Sequence, residues 1–326
     1  MERESFVMSA ASVGSPDWRE VLRREELDEL LATDDWRSWL SIALDWGIVA
    51  ASMALVYVWP NPLTLIVAIA LIGARQLGFA VMMHEAAHQT LFKNRAINDW
   101  VGNWLCAYPI WADLRPYRRY HLSHHAHNWT DKDPDLDLAT KFPVTASSMR
   151  RKIWRDLSGQ VGWKRAKATL RRDVTGTGFF KTSREGVKNA APAGWINLRG
   201  VVITNLLLFG LVSGLGHPAL YLLWVMAWFT TNSLVTRIRS IAEHNMPTDP
   251  SRDFGNTRTT LANWLERLFI APNRVNYHLE HHLLMTVPFY NLPRLHRLLR
   301  ERGALEGALL ADGYLPVLRE ASSKAA

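Results

Sequence analysis

The sequence predicts an all-α integral membrane protein with four transmembrane helices and a cytosolic helical cap that holds a histidine-rich site for two metal ions. Three observations lead to this prediction. The hydrophobic fraction of the 326-residue chain is only 48%, but the apolar residues gather into four long blocks. Both short turns between paired blocks lack Lys and Arg. Nine of the twelve histidines fall into clusters at or beyond the ends of these blocks.

Composition narrows the class of protein further. The net charge of +8 and the pI near 9.7 indicate an anionic partner. We expect lipid headgroups or an acidic protein in that role, and no nucleic acid. Cys106 is the only cysteine, which excludes intrachain disulfides, a four-cysteine zinc site and an iron–sulfur cluster held by this chain alone. The sequence has no glycine-rich dinucleotide motif and no fused-cytochrome motif, so we expect reducing electrons to come from another protein.

The N-terminal region, residues 1–40, is predicted to be a cytosolic amphipathic segment within a single domain that covers residues 1–326. Residues 1–15 carry charges and have no long apolar core, so we expect no signal peptide there. Residues 17–31 place Leu and Val among Arg and Glu at helical spacing. This pattern indicates an amphipathic helix that lies on the membrane surface or against the cytosolic body, with a solvated helix as the alternative.

The first transmembrane hairpin is predicted over residues 41–92. Its first span should end near Trp59, because the two prolines of the Pro60–Pro62 turn cannot continue a helix. The second span should run helically to about Phe92. The 22 residues from that turn to His84 rise roughly 33 Å, and the hydrocarbon core is about 30 Å thick. His84 is therefore expected at the membrane face opposite the turn.

Arg75 is the one basic residue predicted deep in this hairpin. It lies nine residues before His84, near the bilayer centre, where a charge costs about 2.5–3.5 kcal/mol. We expect Arg75 to pair with Asp45 inside the bundle, and a role in a substrate tunnel is the alternative. The apolar stretch from Ile97 to Trp111 is only fifteen residues long, which is typical of a re-entrant or interfacial segment.

The rest of the chain divides into a polar loop, a second hairpin and a C-terminal part. Residues 113–195 form a cytosolic loop with the central histidine motif. Between Val144 and Lys188 this loop has twelve Lys and Arg against three acids, which indicates either simple solvation or a patch for anionic lipid or an acidic donor. Residues 196–236 form the second transmembrane hairpin, and residues 237–326 form the cytosolic C-terminal part. The positive-inside rule then places both termini and all histidine motifs in the cytosol.

The histidine motifs repeat the same spacing. His121, His124 and His125 stand at positions i, i+3 and i+4, and the same spacing returns 157 residues later. These positions share one face of a helix, so the rings can converge on one small volume. Neutral imidazole is a common ligand for iron, zinc and copper. Nine such ligands are too many for one ion but suit two, and the nine candidate ligands are His84, His88, His121, His124, His125, His244, His278, His281 and His282.

The order of these motifs resembles the membrane fatty acid desaturase and hydroxylase superfamily of histidine-box diiron enzymes. The likeness runs from about Gly73 to Leu299 and includes the sequence around the boxes, at 120–128 and 276–291. It implies two Fe(2+) per chain with divided ligands. One iron would take His84, His88, His121, His125 and His282, and the other would take His124, His244, His278 and His281.

Other polar residues near the boxes are candidates to orient the rings. In some relatives an Asn four residues before the lone histidine holds a water on the second iron, and Ser240 occupies that position here. The acids that qualify by position, with a surface acid or helix cap as the alternative for each, are Glu243, Glu280, Asp133, Asp135 and Asp137. The remaining histidines are expected outside the site. His127 should contact the backbone or the lipid surface, with a tenth contact to the site as the alternative, His296 should be structural, and His217 lies on the far turn.

The resemblance implies an O2-dependent fatty acyl desaturase that acts on a membrane lipid. Its electrons would come from an external donor, either a ferredoxin-type protein or a small cytochrome with its reductase. A hydroxylase of an acyl lipid or carotenoid with the same diiron site is the near alternative, and a degenerate member without activity is a further one. A distant alternative is an intramembrane zinc protease, because His84-Glu85-x-x-His88 also matches the His-Glu-x-x-His motif in which Glu is the general base. That alternative leaves most of the clustered histidines unexplained.

Overall fold

The computed structural model describes residues 17–175, 194–249 and 254–325, and these ranges are mostly helical. Two predictions fall on residues outside these ranges: that residues 1–15 hold no signal peptide, and the part of the basic stretch that follows residue 175. The helices are α1 (Trp18–Val21), α2 (Arg24–Leu31), α3 (Asp35–Val58), α4 (Pro62–His88), α5 (Arg95–Val101), α6 (Leu114–His127), α7 (Leu136–Ala139), α8 (Ala146–Leu157), α9 (Gln160–Thr175), α10 (Arg199–Gly214), α11 (Tyr221–Phe229), α12 (Thr231–His244), α13 (Trp264–Phe269), α14 (His278–Leu283), α15 (Leu292–Glu301) and α16 (Tyr314–Ala321).

Within the described residues, four helical segments are long and apolar enough to cross a membrane, the same number as predicted. They are Asp35–Val58, Pro62–His88, Trp195–Gly214 and Pro218–His244. The first begins six residues earlier than expected, because the Asp34 side chain accepts a hydrogen bond from the Trp36 backbone N–H and caps the helix there. The fourth is longer than expected. Its two helices, α11 and α12, are separated only by Thr230, so it continues to His244.

The N-terminal amphipathic segment forms two helices, where one was expected. The chain breaks before Arg23, whose backbone N–H donates to the Glu26 carboxylate (3.0 Å) and starts α2. Arg302 donates to both oxygens of the same carboxylate (2.7 Å each). These bonds, together with the fully buried Leu30, hold α2 against α15. Of the three arrangements considered for this segment, packing against the protein body is the one observed for α2.

A small parallel sheet is the departure from an all-α chain. Strand β1 (Arg258–Thr260) pairs with β2 (Leu309–Ala311), with Arg258 opposite Leu309. Thr259 also forms a β-bridge with Tyr277, the residue that precedes α14. The sheet therefore fixes the start of the helix that carries the third histidine box.

The predicted pairing of Arg75 with Asp45 is confirmed. The Arg75 Nη1 atom donates to Asp45 Oδ1 at 3.0 Å, and both side chains are buried. Asn273 donates a second hydrogen bond to this carboxylate, at 2.8 Å. Arg75 is thereby neutralised inside the bundle, and the ion pair joins α3, α4 and the C-terminal part of the chain.

The short apolar stretch after α4 is a broken helix. It consists of α5, a π-helical turn over Gly102–Ala107 and a 3-10 turn over Tyr108–Ile110. The side chain of Asn98 donates to the Ala86 carbonyl (2.9 Å), and Trp46 donates to the Leu105 carbonyl (3.2 Å). The stretch is thus held against α3 and α4 by side-chain bonds to backbone carbonyls.

Gly73 lets α4 and α12 approach closely. A Cβ at this position would lie 2.1 Å from Thr231 Oγ1 and 2.8 Å from the Asn232 backbone nitrogen. Replacing Gly73 with alanine should therefore force the two helices apart. We expect the variant to lose about 1–3 kcal/mol of stability, as overpacked cores do, and to unfold at a lower temperature in detergent.

Gly210 provides the matched control on α10, because a Cβ there would meet nothing within 4 Å. Gly210→Ala should be neutral or slightly stabilising, since alanine favours a helix over glycine by about 0.8–1.0 kcal/mol. If both variants lowered the melting temperature equally, the α4–α12 contact could not be the cause.

Candidate metal centre

Four helices bring the nine candidate histidines to one end of the bundle. The end of α4 carries His84 and His88, and the end of α12 carries His244. Helices α6 and α14 each present a box with i, i+3, i+4 spacing, so three rings from each helix face the same volume. All nine predicted residues are therefore close together, although they come from segments far apart in the sequence.

Five of the rings form a first group. Their ligand atoms lie within 4.8 Å of one another, and the members are His84, His88, His121, His125 and His281. The Nε2 atom of His121 lies 2.9 Å from that of His88 and 3.0 Å from that of His125. The His125 Nε2 atom lies 3.0 Å from that of His281. We call these five residues the first histidine group.

Two further sets of three ligand residues share His244: one is His124, His244 and His282, and the other is Glu243, His244 and His278. We call the four histidines of these two sets, His124, His244, His278 and His282, the second histidine group. The Nε2 atom of His244 lies 3.2 Å from that of His124 and 2.7 Å from that of His278. Glu243 lies next to this group, with a carboxylate oxygen 3.6 Å from His278 Nδ1. The two groups are adjacent, because the rings of His125 and His282 stack with centroids 4.3 Å apart.

The division of the third box differs from the one implied by the family resemblance. His281 lies in the first group and His282 in the second, and the resemblance implied the reverse. The reason is helical geometry: residues four apart are separated by about 40° around the axis at 3.6 residues per turn. His278 and His282 therefore stay together, with ring centroids 4.6 Å apart, and His281 is 5.9 Å from His278.

The central box follows the same rule. His121 and His125, four residues apart, belong to the first group, and His124 belongs to the second. Each box thus gives its i and i+4 rings to one group and its i+3 ring to the other. The central box gives its i and i+4 rings to the first group, and the third box gives its i and i+4 rings to the second group. The two boxes are therefore related by an approximate two-fold symmetry.

The arrangement fits bound metal ions. Two nitrogens held at about 2.1 Å from one ion, at right angles to each other, are about 3.0 Å apart, which is the spacing measured within the first group. The Nε2 atoms of His84 and His282 are buried and have no hydrogen-bond partner among the described residues. Burial, followed by the charges of neighbouring rings, lowers the pKa of His121 and His281 well below the usual value. These rings are therefore neutral, which is the form that binds metal.

Acids orient several of the rings from behind. Asp133 Oδ1 lies 2.8 Å from His124 Nδ1. Burial lowers the pKa of His124, but this bond and the nearby carboxylates together raise it by more, so the pKa lies above its usual value. Asp133 therefore keeps a proton on Nδ1, which leaves Nε2 to face His244. Asp135 lies farther from His124 Nδ1, at 3.8 Å, and accepts the Tyr120 hydroxyl. Asp137 is exposed.

Two other predicted orienting residues have different partners. Glu280 is fully buried in the third box but bonds away from the groups, to His296 Nδ1 (2.6 Å) and the Thr259 hydroxyl. Ser240 lies one helical turn before His244, and its backbone carbonyl accepts the Asn245 side-chain amide (3.2 Å). Glu280 thus holds α14 against α15 and β1.

The three remaining histidines belong to neither histidine group. The Nδ1 atom of His127 is 3.0 Å from the Ser123 carbonyl oxygen, one turn earlier in α6. His296 bonds Glu280, as described, which is a structural contact. The ring of His217 packs against that of Tyr57 at the opposite end of the bundle, with centroids 4.1 Å apart and planes tilted by 45°.

Sequence reasoning missed three residues that support the site. The ring of Tyr117 stacks on His121, with centroids 5.3 Å apart and planes 6° apart. Arg239 donates to Glu243 through its Nε atom. Thr90 donates to Glu85 at 2.9 Å. Tyr117 and Arg239 stand four residues before His121 and Glu243, so i, i+4 spacing on a helix was the signal that could have identified them.

A cavity of about 400 Å³ borders the first group at His84. Apolar side chains from several helices line it, including Leu77, Val81 and Trp228, and Ile110 contributes from the turn before α6. It also borders Ala168 on α9, which is exposed. A cavity of this size, largely apolar and with a few polar groups, is typical of a small-molecule site.

The structure has the features expected of a membrane metalloenzyme of the histidine-box class: four membrane-length helices, two adjacent histidine groups at one end of the bundle and a cavity beside them. Comparison with known proteins gives the family. The family model described as fatty acid desaturase matches residues 57–313, most of the chain. The chain belongs to the fatty acid desaturase family and is an oxidoreductase.

Curated relatives agree with this assignment. The dihydrorhizobitoxine desaturase of Bradyrhizobium elkanii is 29% identical over 285 residues, which cover 84% of this chain and 78% of that protein. The sn-1 oleoyl-lipid 12-desaturase of a Synechocystis species is 25% identical over 81% of this chain and 76% of its own length. The chloroplastic omega-6 fatty acid desaturase of Brassica napus is 24% identical over 84% of this chain and 62% of its own length.

Proposed function

We propose that this protein is an O2-dependent fatty acyl desaturase that binds two Fe(2+) ions, one in each histidine group. The observation that carries the proposal is the pair of adjacent imidazole groups beside a largely apolar cavity. An alkyl C–H bond is too weak an acid for any side-chain base to deprotonate, and two bound irons with O2 supply the oxidising chemistry that is needed. The chain's own residues hold the alkyl chain against His84 and keep water out.

The geometry of Glu85 argues against the zinc-protease alternative. Its Oε2 atom accepts hydrogen bonds from the Thr90 hydroxyl (2.9 Å) and the Phe289 backbone N–H (3.0 Å). Its Oε1 atom lies 3.4 Å from His84 Nδ1, the ring nitrogen that would not bind the metal if Nε2 does. A general base has to reach a metal-bound water. Glu85 instead joins α4 to the segment after the third box.

The hydroxylase alternative is less favoured, because the curated relatives named above are desaturases.

Expression of the chain in a host with a simple fatty-acid profile tests the proposed function. We expect new unsaturated acyl chains under air and none under nitrogen, measured by gas chromatography and mass spectrometry. Because the chain has no flavin or haem motif and one cysteine, the purified protein should need a ferredoxin-type or small cytochrome donor with its reductase. New hydroxylated chains in place of double bonds, or turnover with NADPH and O2 alone, would contradict the proposal.

We further propose that both termini and the two histidine groups face the cytosol. The support is the absence of Lys and Arg from the Pro60–Pro62 and Leu215–His217 turns, combined with the positive-inside rule. A cysteine placed in the Pro60–Pro62 turn should react with an impermeant reagent only from the non-cytosolic side. Lys167→Cys, on the exposed face of α9, should react only from the cytosol.

The native protein is its own control for this labelling, because Cys106 is buried and should stay unmodified in intact membranes. Reversed labelling of the two positions would place the histidine groups away from cytosolic reductants. That result would remove the proposed route for electrons.

A further inference from the structure

Three arginines line the cavity beside His84, and no Asp or Glu does. They are Arg165 and Arg172 on α9 and Arg239 on α12. Two of the three have carboxylate partners outside the cavity wall: Arg239 is paired with Glu243, and the Arg172 Nε atom lies 2.5 Å from Asp173 Oδ1. The positive charge of these two side chains is therefore balanced within the protein.

Arg165 is different, because no carboxylate lies within ion-pair distance of it in the described part of the chain. Its Nη2 atom donates to the Trp228 carbonyl (2.5 Å), and its guanidinium lies 4.0 Å from the centre of the Trp228 ring. Its Nε atom is buried without a hydrogen-bond partner. The nearby acid of α8, Asp156, accepts two hydrogen bonds from Arg237 instead.

Among the residues that the structure describes, Arg165 therefore has no carboxylate paired with it on the wall of this largely apolar cavity. Burial lowers the pKa of Arg165 to about 10, and the side chain therefore still carries its proton at neutral pH. A buried charge is costly unless it is paired and hydrogen-bonded. The planar guanidinium fork matches carboxylate and phosphate oxygens. A ligand with such a group would complete the pairing of Arg165.

We propose that Arg165 binds the anionic end of the substrate, a carboxylate or a phosphate, inside this cavity. This inference rests on the proposed function, because it takes the cavity to be the substrate site of the desaturase. The alkyl part then lies along Leu77, Val81 and Ile110 and approaches the first histidine group at His84. The substrate class is therefore an acidic amphiphile, and a lipid with a neutral sugar headgroup would leave Arg165 unpaired.

Binding of simple probes tests this assignment without turnover. The iron-loaded protein is placed in phosphatidylcholine nanodiscs under nitrogen, without an electron donor, and empty nanodiscs give the background. The probes are radiolabelled dodecanoate, dodecyl phosphate and dodecanol. We expect saturable binding of one or both anionic probes and weaker binding of dodecanol. Arg165→Gln should weaken binding of the anionic probe by about tenfold, which is about 1.4 kcal/mol, and should leave dodecanol unchanged.

Two variants make the result specific. Arg171→Gln is the matched control, because Arg171 is exposed on the same helix and does not line the cavity, so its probe affinities should equal those of the unmodified protein. Arg165→Lys keeps the charge but loses the planar fork, and it should recover part of the affinity lost in Arg165→Gln. Equal weakening by Arg165→Gln and Arg171→Gln, or dodecanol binding as tightly as the anionic probes, would overturn the proposal.

The same experiment identifies the source of the anion. If the natural ligand is a lipid phosphate, phosphatidylglycerol in the nanodiscs should displace dodecanoate. If it is a free fatty acid, phosphatidylglycerol should leave dodecanoate binding unchanged. Failure of the proposed desaturation would appear separately, as normal probe binding without new double bonds under air. If the protein desaturates lipids but Arg165→Gln does not raise the KM, the role of Arg165 is refuted and the proposed function still stands.

Discussion

Replacement of His281 with alanine is expected to lower the iron content of the protein and to abolish its activity. The Nε2 atom of His281 lies 3.0 Å from that of His125, and the side chain is 3% exposed, so water cannot easily take its place. Protein reconstituted without oxygen should hold about two irons per chain, as expected for imidazole sites, and the variant should hold fewer. Loss of a residue that only orients a ligand reduces metal affinity or activity by about 10–100-fold. Because His281 is a proposed ligand itself, its loss should reduce them by more than this.

His217→Ala is the control for this experiment, because His217 lies at the opposite end of the bundle against Tyr57. It should keep the iron content and activity of the unmodified protein. Activity has to be measured together with the metal, because zinc can occupy imidazole sites. Full activity with one zinc and no iron would contradict the two-iron proposal.

A pair of substitutions separates the desaturase from the zinc protease. His278→Ala should abolish activity, because it removes a proposed ligand whose Nε2 atom lies 2.7 Å from that of His244. Glu85→Gln should retain measurable activity. The amide oxygen can still accept the bonds from Thr90 and Phe289, and only the contact with His84 Nδ1 is weakened, so we expect a loss of about tenfold at most.

The protease reading predicts the reverse order. Glu85 would then activate the zinc-bound water, and its amide should be inactive while the metal stays bound. His278 would lie outside such a site and would be dispensable. Both variants should be assayed for oxygen-dependent lipid modification and for peptide cleavage. An inactive Glu85→Gln beside an active His278→Ala would refute the desaturase proposal.

The sequence was sufficient where a property depends on local spacing or on membrane thickness. Pro60 and Pro62 mark the first turn because proline cannot continue a helix, and Arg75 in a span requires a partner, which is Asp45. The convergence of the three rings within each box follows from the i, i+3, i+4 spacing on α6 and α14. These features could be predicted because each is set by a few neighbouring residues or by a single length.

Features set by contacts between distant segments could not be predicted in this way. Spacing alone left open which group His281 and His282 would join, and the family resemblance implied a division that differs from the grouping in the structure. Glu280 qualified by position as an orienting acid, yet Thr259 and His296 bind it. Arg165 appeared only as one of twelve basic residues in a loop, because the cavity that it lines is built from four other segments.

The distribution of the two histidine groups along the chain imposes an order on their completion during synthesis. When the ribosome has passed α6, four of the five members of the first group have been made, whereas the second group has only His124. The second group gains His244 next and waits for α14 to supply both His278 and His282. A nascent chain can thus present a nearly complete first group long before the second. If each group holds one ion, as proposed, the second ion can be bound by its full set of histidines only after α14 has been translated and packed against the other helices.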